Sequence, residues 1–113
     1  MLGDISSAIN IYVITGYTDM RKSIDGLCAI VLNQLKTESD GRSIYLFCGK
    51  RCDRIKILLR EPDGYVLLYK RLDVVQGGYR WSRNRSEAKA ITWQQFDWLI
   101  KVIFYLHKIC NPL

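Results

Sequence analysis

Apolar and polar positions in the first third of the chain predict one strand followed by one helix. Residues 9–15 alternate apolar and polar side chains, which is typical of a strand, and the polar segment 16–19 interrupts this pattern. From Ser23, a residue suited to the N-cap, apolar residues recur at three- and four-residue steps as far as Leu35. That stripe predicts an amphipathic helix, which residues 38–41 end in a loop.

Four further segments predict strands, because they are rich in Ile, Leu, Val and Tyr and are separated by turn-forming residues. Pro62-Asp63-Gly64 is a strong hairpin signal between two of them, and Gly77-Gly78 is a second. Together these segments predict an antiparallel β-meander of about four to five strands. The four segments are residues 43–48, 54–60, 65–72 and 79–83.

The last helix is predicted to begin at a capping box. Residues 92–95, Thr-Trp-Gln-Gln, have the spacing at which the first and last side chains satisfy each other's backbone donors. Apolar residues between Trp93 and Leu106 then cover most of the helix circumference, which indicates burial on two sides or a protein partner. The predicted class is therefore α+β, with the meander packed against a helix in the N-terminal half and a C-terminal helix.

Composition fits a single globular domain over residues 1–113. The chain is 49% hydrophobic and 25% charged, a balance that supports a modest core. No segment reaches the ~20 apolar residues that span a bilayer, and the first residues lack the basic and apolar regions of a signal peptide. We therefore expect a cytoplasmic protein without a membrane partner.

Positive charge is concentrated in the middle of the chain. The sequence has 17 basic and 11 acidic residues, a formal charge of +6. Residues 42–85 alone hold eleven Lys or Arg against four Asp or Glu, so this segment carries +7. Such a block favours contact with a polyanion, with counterion release as the driving force, and a solubilising surface explains the charge equally well.

One predicted strand places several of these cations on a single face. In residues 54–60, the side chains of Ile55, Ile57 and Leu59 fall on one face and the cations on the other, because strand side chains alternate. Exposed aromatic rings beside such cations could stack on bases, although Trp81 is better explained as a core residue. The cations of this face are Arg54, Lys56 and Arg60, and the interleaved aromatics are Tyr65, Tyr69, Tyr79 and Trp81.

Residues 18–23 lie just ahead of the first helix and admit two interpretations. Their backbone donors, with Arg21 and Lys22, could hold an anion at the helix N-terminus. Alternatively, Asp19 or Ser23 caps the helix and Arg21 pairs with a carboxylate such as Asp25. Capping is the safer interpretation of the residue pattern.

Signatures of enzymes and metal sites are weak. The sequence lacks the glycine-rich phosphate loop, the dinucleotide-binding pattern and the nucleophile elbow. Its aspartates (19, 25, 53 and 63) could hold metal ions for a nuclease, but each has a turn, cap or salt-bridge explanation. Cys48 and Cys52 could join His107 and Cys110 as zinc ligands, yet buried thiols explain the cysteines better. We predict no enzymatic activity, no metal and no cofactor.

Residues 18–27, Thr-Asp-Met-Arg-Lys-Ser-Ile-Asp-Gly-Leu, resemble the T-D-M-R-K-S-F-D-G-L signature of the TnpB accessory proteins of insertion-sequence-66 transposons. These are distinct from the RNA-guided nucleases that share the name. The resemblance continues through residues 49–58 and 70–72 to Trp81, and it covers roughly residues 8 to 100. Cys48 and Cys52 stand where the family commonly has Arg and Gly. We expect the tail from about residue 104 to diverge in its contacts or to be partly flexible.

The resemblance implies an accessory role in DNA transposition beside a separately encoded transposase. It carries no settled molecular activity, so the mechanism has to come from the residues. The first hypothesis is weak or non-specific DNA binding through a basic sheet face. The alternative is a protein-interaction module that self-associates or bridges the transposase or its partner without touching DNA. The candidate nucleic-acid-binding residues are Arg21, Lys22, Lys50, Arg51, Arg54, Lys56, Lys70 and Arg71.

Overall fold

The computed structural model describes residues 10–35, 42–73, 81 and 88–101, with side chains as far as Leu99. Within these residues the chain forms five strands and two helices. No helix among them is long and apolar enough to cross a membrane. The elements in chain order are β1 (Asn10–Ile14), α1 (Ile24–Leu35), β2 (Ser43–Cys48), β3 (Arg54–Glu61), β4 (Gly64–Arg71), β5 (Ala88–Ile91) and α2 (Trp93–Lys101).

The strands form one sheet in the order β4-β3-β2-β1-β5. Strands β2, β3 and β4 make an antiparallel meander, and the β3–β4 hairpin turns at Pro62 and Asp63 as predicted. This arrangement confirms the α+β class and the two helices. One pairing departs from a simple meander, because β1 lies parallel to β2. Parallel neighbours need a long crossover connection, and α1 is part of it.

The far edge of the sheet differs from the sequence prediction. Strand β5 pairs antiparallel with β1 but was not predicted, because Ala88–Ile91 is short and its Ala and Lys residues have low strand propensity. The predicted strand at 79–83 and the Gly77-Gly78 hairpin lie outside the described residues, apart from Trp81. Trp81 is buried, as expected, and its indole Nε1 donates to the carbonyl oxygen of Ile14 at 2.8 Å.

Strand β2 lies in the middle of the sheet, and all six of its residues are buried. Both faces of the sheet are therefore covered, each by its own part of the core. The α1 side contains Ile14, Leu27, Val31, Tyr45, Phe47 and Leu58. The α2 side contains Ile11, Val13, Ile44, Leu46, Cys48, Ile55, Leu59, Trp81, Phe96 and Leu99.

Both helices begin where the sequence predicts. The amide of Leu27 donates to the Ser23 carbonyl at 2.9 Å, which makes Ser23 the residue preceding the first turn of α1. At α2, the Thr92 amide donates to Gln95 Oε1 at 2.9 Å, and the Gln95 amide donates to Thr92 Oγ1 at 3.1 Å. This reciprocal pair confirms the capping box.

We expect Trp81→Phe to destabilise the fold by about 1 to 3 kcal/mol, because the Ile14 carbonyl loses its indole donor inside the core. Urea unfolding followed by circular dichroism measures the change without relying on tryptophan fluorescence. Trp98→Phe is the matched control, since Trp98 is exposed. Equal effects of the two substitutions would contradict a structural role for the indole hydrogen bond.

Candidate nucleic-acid interface

The two segments that carry the clearest sequence motifs meet at the end of β2. The Thr18 amide donates to the Cys48 carbonyl at 2.8 Å, which fixes the segment after β1 against the last residue of β2. The chain then turns tightly, with the Cys52 amide donating to the Gly49 carbonyl at 2.9 Å and the Gly49 amide donating to the Arg54 carbonyl at 3.1 Å. Cys52 has a φ of 59°, a conformation more usual for glycine. Residues distant in sequence thus form one site.

Gly49 is required where these segments touch. A Cβ atom added at Gly49 would lie 2.7 Å from Cγ of Met20, which is too close for two carbon atoms. The half-buried Met20 side chain also packs against the α1 side of the core. The absence of a side chain at residue 49 therefore lets the 18–20 segment lie directly on the loop that follows β2.

A cavity of about 360 Å³ opens between the two segments. It brings together three cations, Lys50, Arg51 and Arg54, with two carboxylates, Asp19 and Asp53. Lys50 and Arg51 are exposed on the loop, whereas Arg54 and Asp53 are half-buried. We call this the 18–54 cavity. Its lining residues are Thr18, Asp19, Met20, Gly49, Lys50, Arg51, Asp53 and Arg54.

Asp19 is held by its neighbour Arg21. The carboxylate accepts the Arg21 amide at 2.9 Å and the Arg21 guanidinium at 2.8 Å. These hydrogen bonds, the side-chain bond first, lower the pKa of Asp19 to about 2, so the group is ionised at neutral pH. The carboxylate partner of Arg21 is thus Asp19, not Asp25. The Arg21 side chain is 91% exposed despite this pairing, so its guanidinium still faces solvent.

Arg54 lies between the cavity and the sheet. Its Nε is 3.9 Å from Asp53 Oδ1, a loose ion pair. This Nε is buried and makes no hydrogen bond within the part of the chain that the structure describes. A buried N–H group without an acceptor is unusual and costly, so an additional acceptor at this position would be favourable.

Lys56 has protein contacts that the sequence does not reveal. Its Nζ donates to the carbonyl oxygen of Lys22 at 2.6 Å and lies 5.4 Å from the centre of the Tyr69 ring. This hydrogen bond therefore connects the segment ahead of α1 to the sheet. The sequence predicts that Lys56 is an exposed cation. In the structure its side chain is half-buried, and it positions the segment ahead of α1.

Cations and tyrosines alternate across β3 and β4 on the α1 side of the sheet. Residues directly opposite each other in the register share a face, and Leu58 and Leu67 pack against α1 between two tyrosine pairs. In the last pair, the guanidinium of Arg60 lies 4.7 Å from the centre of the Tyr65 ring. We call this set the β3–β4 ladder. Its pairs are Arg54 with Arg71, Lys56 with Tyr69, and Arg60 with Tyr65.

The structure brings most of the candidate residues together. Arg54 and Lys56 share a face, as the strand alternation predicts, and Arg71 joins them from β4. Arg21 and Lys22 precede α1 beside the same region, whereas Lys70 pairs with Ile55 and so lies on the opposite face of the sheet. Arg60 was not among the candidates, although the same alternation had placed it on the cationic face.

Cys28, Cys48 and Cys52 lie in or beside the core. Burial is the main cause that raises the pKa of the Cys48 thiol, and the neighbouring Cys52 adds to the shift. Burial also raises the pKa of Cys28. These two thiols are therefore protonated at neutral pH. His107 and Cys110 lie outside the described residues, and no three His, Cys, Asp or Glu residues cluster as metal ligands within the described ones.

Comparison with known proteins identifies the family. Residues 9–107 match the family model described as IS66 Orf2 like protein. The chain belongs to this family. Its members are accessory proteins of insertion-sequence transposition, which confirms the relationship that residues 18–27 and 49–58 suggest. The 18–54 cavity is where these two family segments touch.

Two relatives come from Sinorhizobium fredii (strain NBRC 101917 / NGR234). The uncharacterized protein y4hO is 28% identical over 99 residues, which cover 88% of this chain and 84% of that protein. The uncharacterized protein y4jC is 32% identical over 68 residues, which cover 60% of this chain and 58% of that protein. No solved structure matches the chain.

We expect Gly49→Ala to cost about 1 to 3 kcal/mol of stability, because the new methyl group must displace Met20 or the loop. Thermal or urea unfolding measures the cost. Gly64→Ala is the matched control, since no atom lies within 4 Å of a Cβ placed there. A Gly49 variant as stable as the Gly64 variant would show that the close approach of Met20 does not constrain the site.

Proposed function

We propose that this protein is a non-enzymatic accessory factor of DNA transposition that binds nucleic acid through the 18–54 cavity and the β3–β4 ladder. One observation carries the proposal. The two segments with the family signature converge on a cavity that contains three cations, and Arg54 connects that cavity to the cations of the ladder. Cations from separate segments of the chain thereby lie close together.

The arrangement suits contact with phosphates more than recognition of bases in a duplex groove. Lys50 and Arg51 are exposed on a short, hydrogen-bonded loop, so little backbone freedom is lost when they meet a phosphate. Within Ile24–Leu35 α1 contains no Lys or Arg, and within Trp93–Lys101 α2 contains only Lys101, so neither of these helices is suited to a major groove. We expect binding that depends weakly on sequence and strongly on salt.

The electrostatics of the cavity favour binding over metal-dependent chemistry. Each of its two carboxylates lies beside a guanidinium, Asp19 beside Arg21 and Asp53 beside Arg54. Cationic neighbours offset the negative charge that a divalent cation needs. This supports a binding role for the cavity and accords with the lack of a catalytic motif in the sequence.

We expect Lys50→Ala with Arg51→Ala to reduce the slope of log affinity against log salt by about 2, because two counterion-releasing contacts disappear. Fluorescence anisotropy with a labelled duplex at several salt concentrations measures this slope. Folding should change by no more than ~0.5 kcal/mol, since both side chains are exposed.

The matched control is Lys89→Ala compared with Lys50→Ala alone. Lys89 is exposed on β5 and, opposite Val13, lies on the other face of the sheet. The Lys50 variant should lower the slope by about 1 and the Lys89 variant should leave it unchanged. No binding by the wild type at low salt, or equal slopes for the two variants, would refute the proposed surface.

A second candidate function is docking onto the transposase of the same element. The observation that favours it is the exposure of two large side chains of α2, Trp93 and Trp98, on either side of the buried stripe of Phe96 and Leu99. Exposed tryptophans are frequent anchors of protein interfaces. The part of the predicted apolar arc that follows Lys101 lies outside the described residues.

We expect Trp98→Ala to weaken co-purification of the transposase by at least about 10-fold if α2 is the docking element, as is typical when an interface anchor is removed. The pull-down is performed after nuclease treatment, so that shared DNA cannot bridge the proteins. Gln94→Ala, at an exposed polar position of the same helix, is the control. Undiminished capture by the Trp98 variant would rule out this residue as an anchor.

A further inference from the structure

We infer that the β3–β4 ladder binds single-stranded nucleic acid in preference to duplex, with Tyr65 and Tyr69 stacking on unpaired bases while the neighbouring cations neutralise phosphates. This inference rests on the proposed nucleic-acid-binding function and specifies the form of the ligand. The ligand class is defined by two chemical features, an anionic backbone and bases whose flat faces are accessible.

The two tyrosines are unusually exposed for aromatic residues of a sheet that is covered on both faces. Tyr65 is 40% exposed and Tyr69 is 52% exposed. Both lie on β4, the strand at one end of the sheet order. Both rings are therefore partly accessible to a ligand, and the Tyr65 side chain also forms a hydrogen bond with Cys28 of α1.

Each exposed ring is paired with a cation from the opposite strand. Lys56 lies directly across from Tyr69 and Arg60 directly across from Tyr65, at 5.4 Å and 4.7 Å from the ring centres. A base stacked on either ring would place its own phosphate close to a positive charge. This combination of stacking surface and backbone neutralisation is the arrangement found in single-strand-binding grooves.

The two exposed rings of the ladder fit a single strand of nucleotides better than a duplex. Tyr65 and Tyr69 are four residues apart on one strand, or about 13 Å. Bases in a duplex are stacked and paired inside the helix, so protein aromatic rings reach base faces only where the strands are separated. A duplex could still use the cations of the ladder, but it would gain nothing from the tyrosines.

Cross-strand packing alone could also explain cation and tyrosine pairs, because such pairs stabilise sheets. The two explanations predict different results for a ligand that keeps its phosphates and loses its bases. If the rings only support the sheet, removing bases from the ligand changes nothing. If they stack on bases, affinity falls.

The test uses fluorescence anisotropy with the full chain at one fixed salt concentration. The probes are a labelled DNA strand longer than the ~4–16 nucleotides that a small single-strand-binding domain covers, the same strand in a duplex, and the same strand with abasic positions. An RNA strand of the same sequence distinguishes the two sources of unpaired bases. We expect the intact single strands to bind at least about 10-fold more tightly than the duplex or the abasic strand, since each stacked ring contributes about 5- to 150-fold.

The matched variants are Tyr65→Leu with Tyr69→Leu, which removes both rings, and Tyr65→Phe with Tyr69→Phe, which keeps them. The leucine variant should lose the preference for single strands by about 10-fold or more while duplex affinity stays within about 2-fold. The phenylalanine variant should behave like the wild type. The comparison of intact, abasic and duplex probes on the wild type keeps the inference testable even if the leucine variant does not fold.

Equal affinity of the wild type for single strand and duplex, or equal affinity for intact and abasic strands, would overturn the inference while leaving nucleic-acid binding intact. A leucine variant that folds and keeps the preference would overturn it too. If no probe is bound at low salt, the proposed function fails as well, so the two failures are distinguishable.

Discussion

Complete burial of β2 is the constraint on which the rest of the structure depends. A strand whose six residues are all inaccessible to water needs a neighbour on each edge and a cover on each face. Strands β1 and β3 supply the edges, α1 covers one face, and α2 with Trp81 covers the other. Charged side chains are thereby excluded from the middle of the sheet, because burying them unpaired is costly. They collect at the end of β2 and on β3 and β4, which is where the cavity and the ladder lie.

The candidate binding cations lie at the end of β2, where several contacts hold the chain in place. A backbone hydrogen bond joins the segment ahead of α1 to the last residue of β2, and Gly49 allows a close approach of Met20 to the loop that follows. The Lys56 ammonium fastens the same segment from the neighbouring strand through the Lys22 carbonyl. Three kinds of contact thus hold one junction in place. Cations on this junction lose little backbone freedom when they meet an anion, which favours binding.

Membership in the IS66 Orf2 like protein family supplies a biological setting, and the structure supplies candidate chemistry for it. The family segments are not separate recognition elements, because they form two sides of the same cavity. The two segments meet where Met20 approaches Gly49. The acidic residues among them, Asp19 and Asp53, lie beside arginines, so they order the cationic groups around them.

The sequence by itself determined several features that depend on local pattern. The period of α1, the capping box of α2, the hairpin at Pro62 and Asp63 and the alternation that separates Arg54 and Lys56 from Ile55 all follow from side-chain spacing, and the structure contains each of them. Tertiary structure alone decided the parallel pairing of β1 with β2, the addition of β5, the meeting of Met20 with Gly49, and the register that puts Arg71 instead of Lys70 on the face of Arg54. The physical reason is that these features depend on strand register and on contacts between residues far apart in the chain, and local spacing carries no information about either.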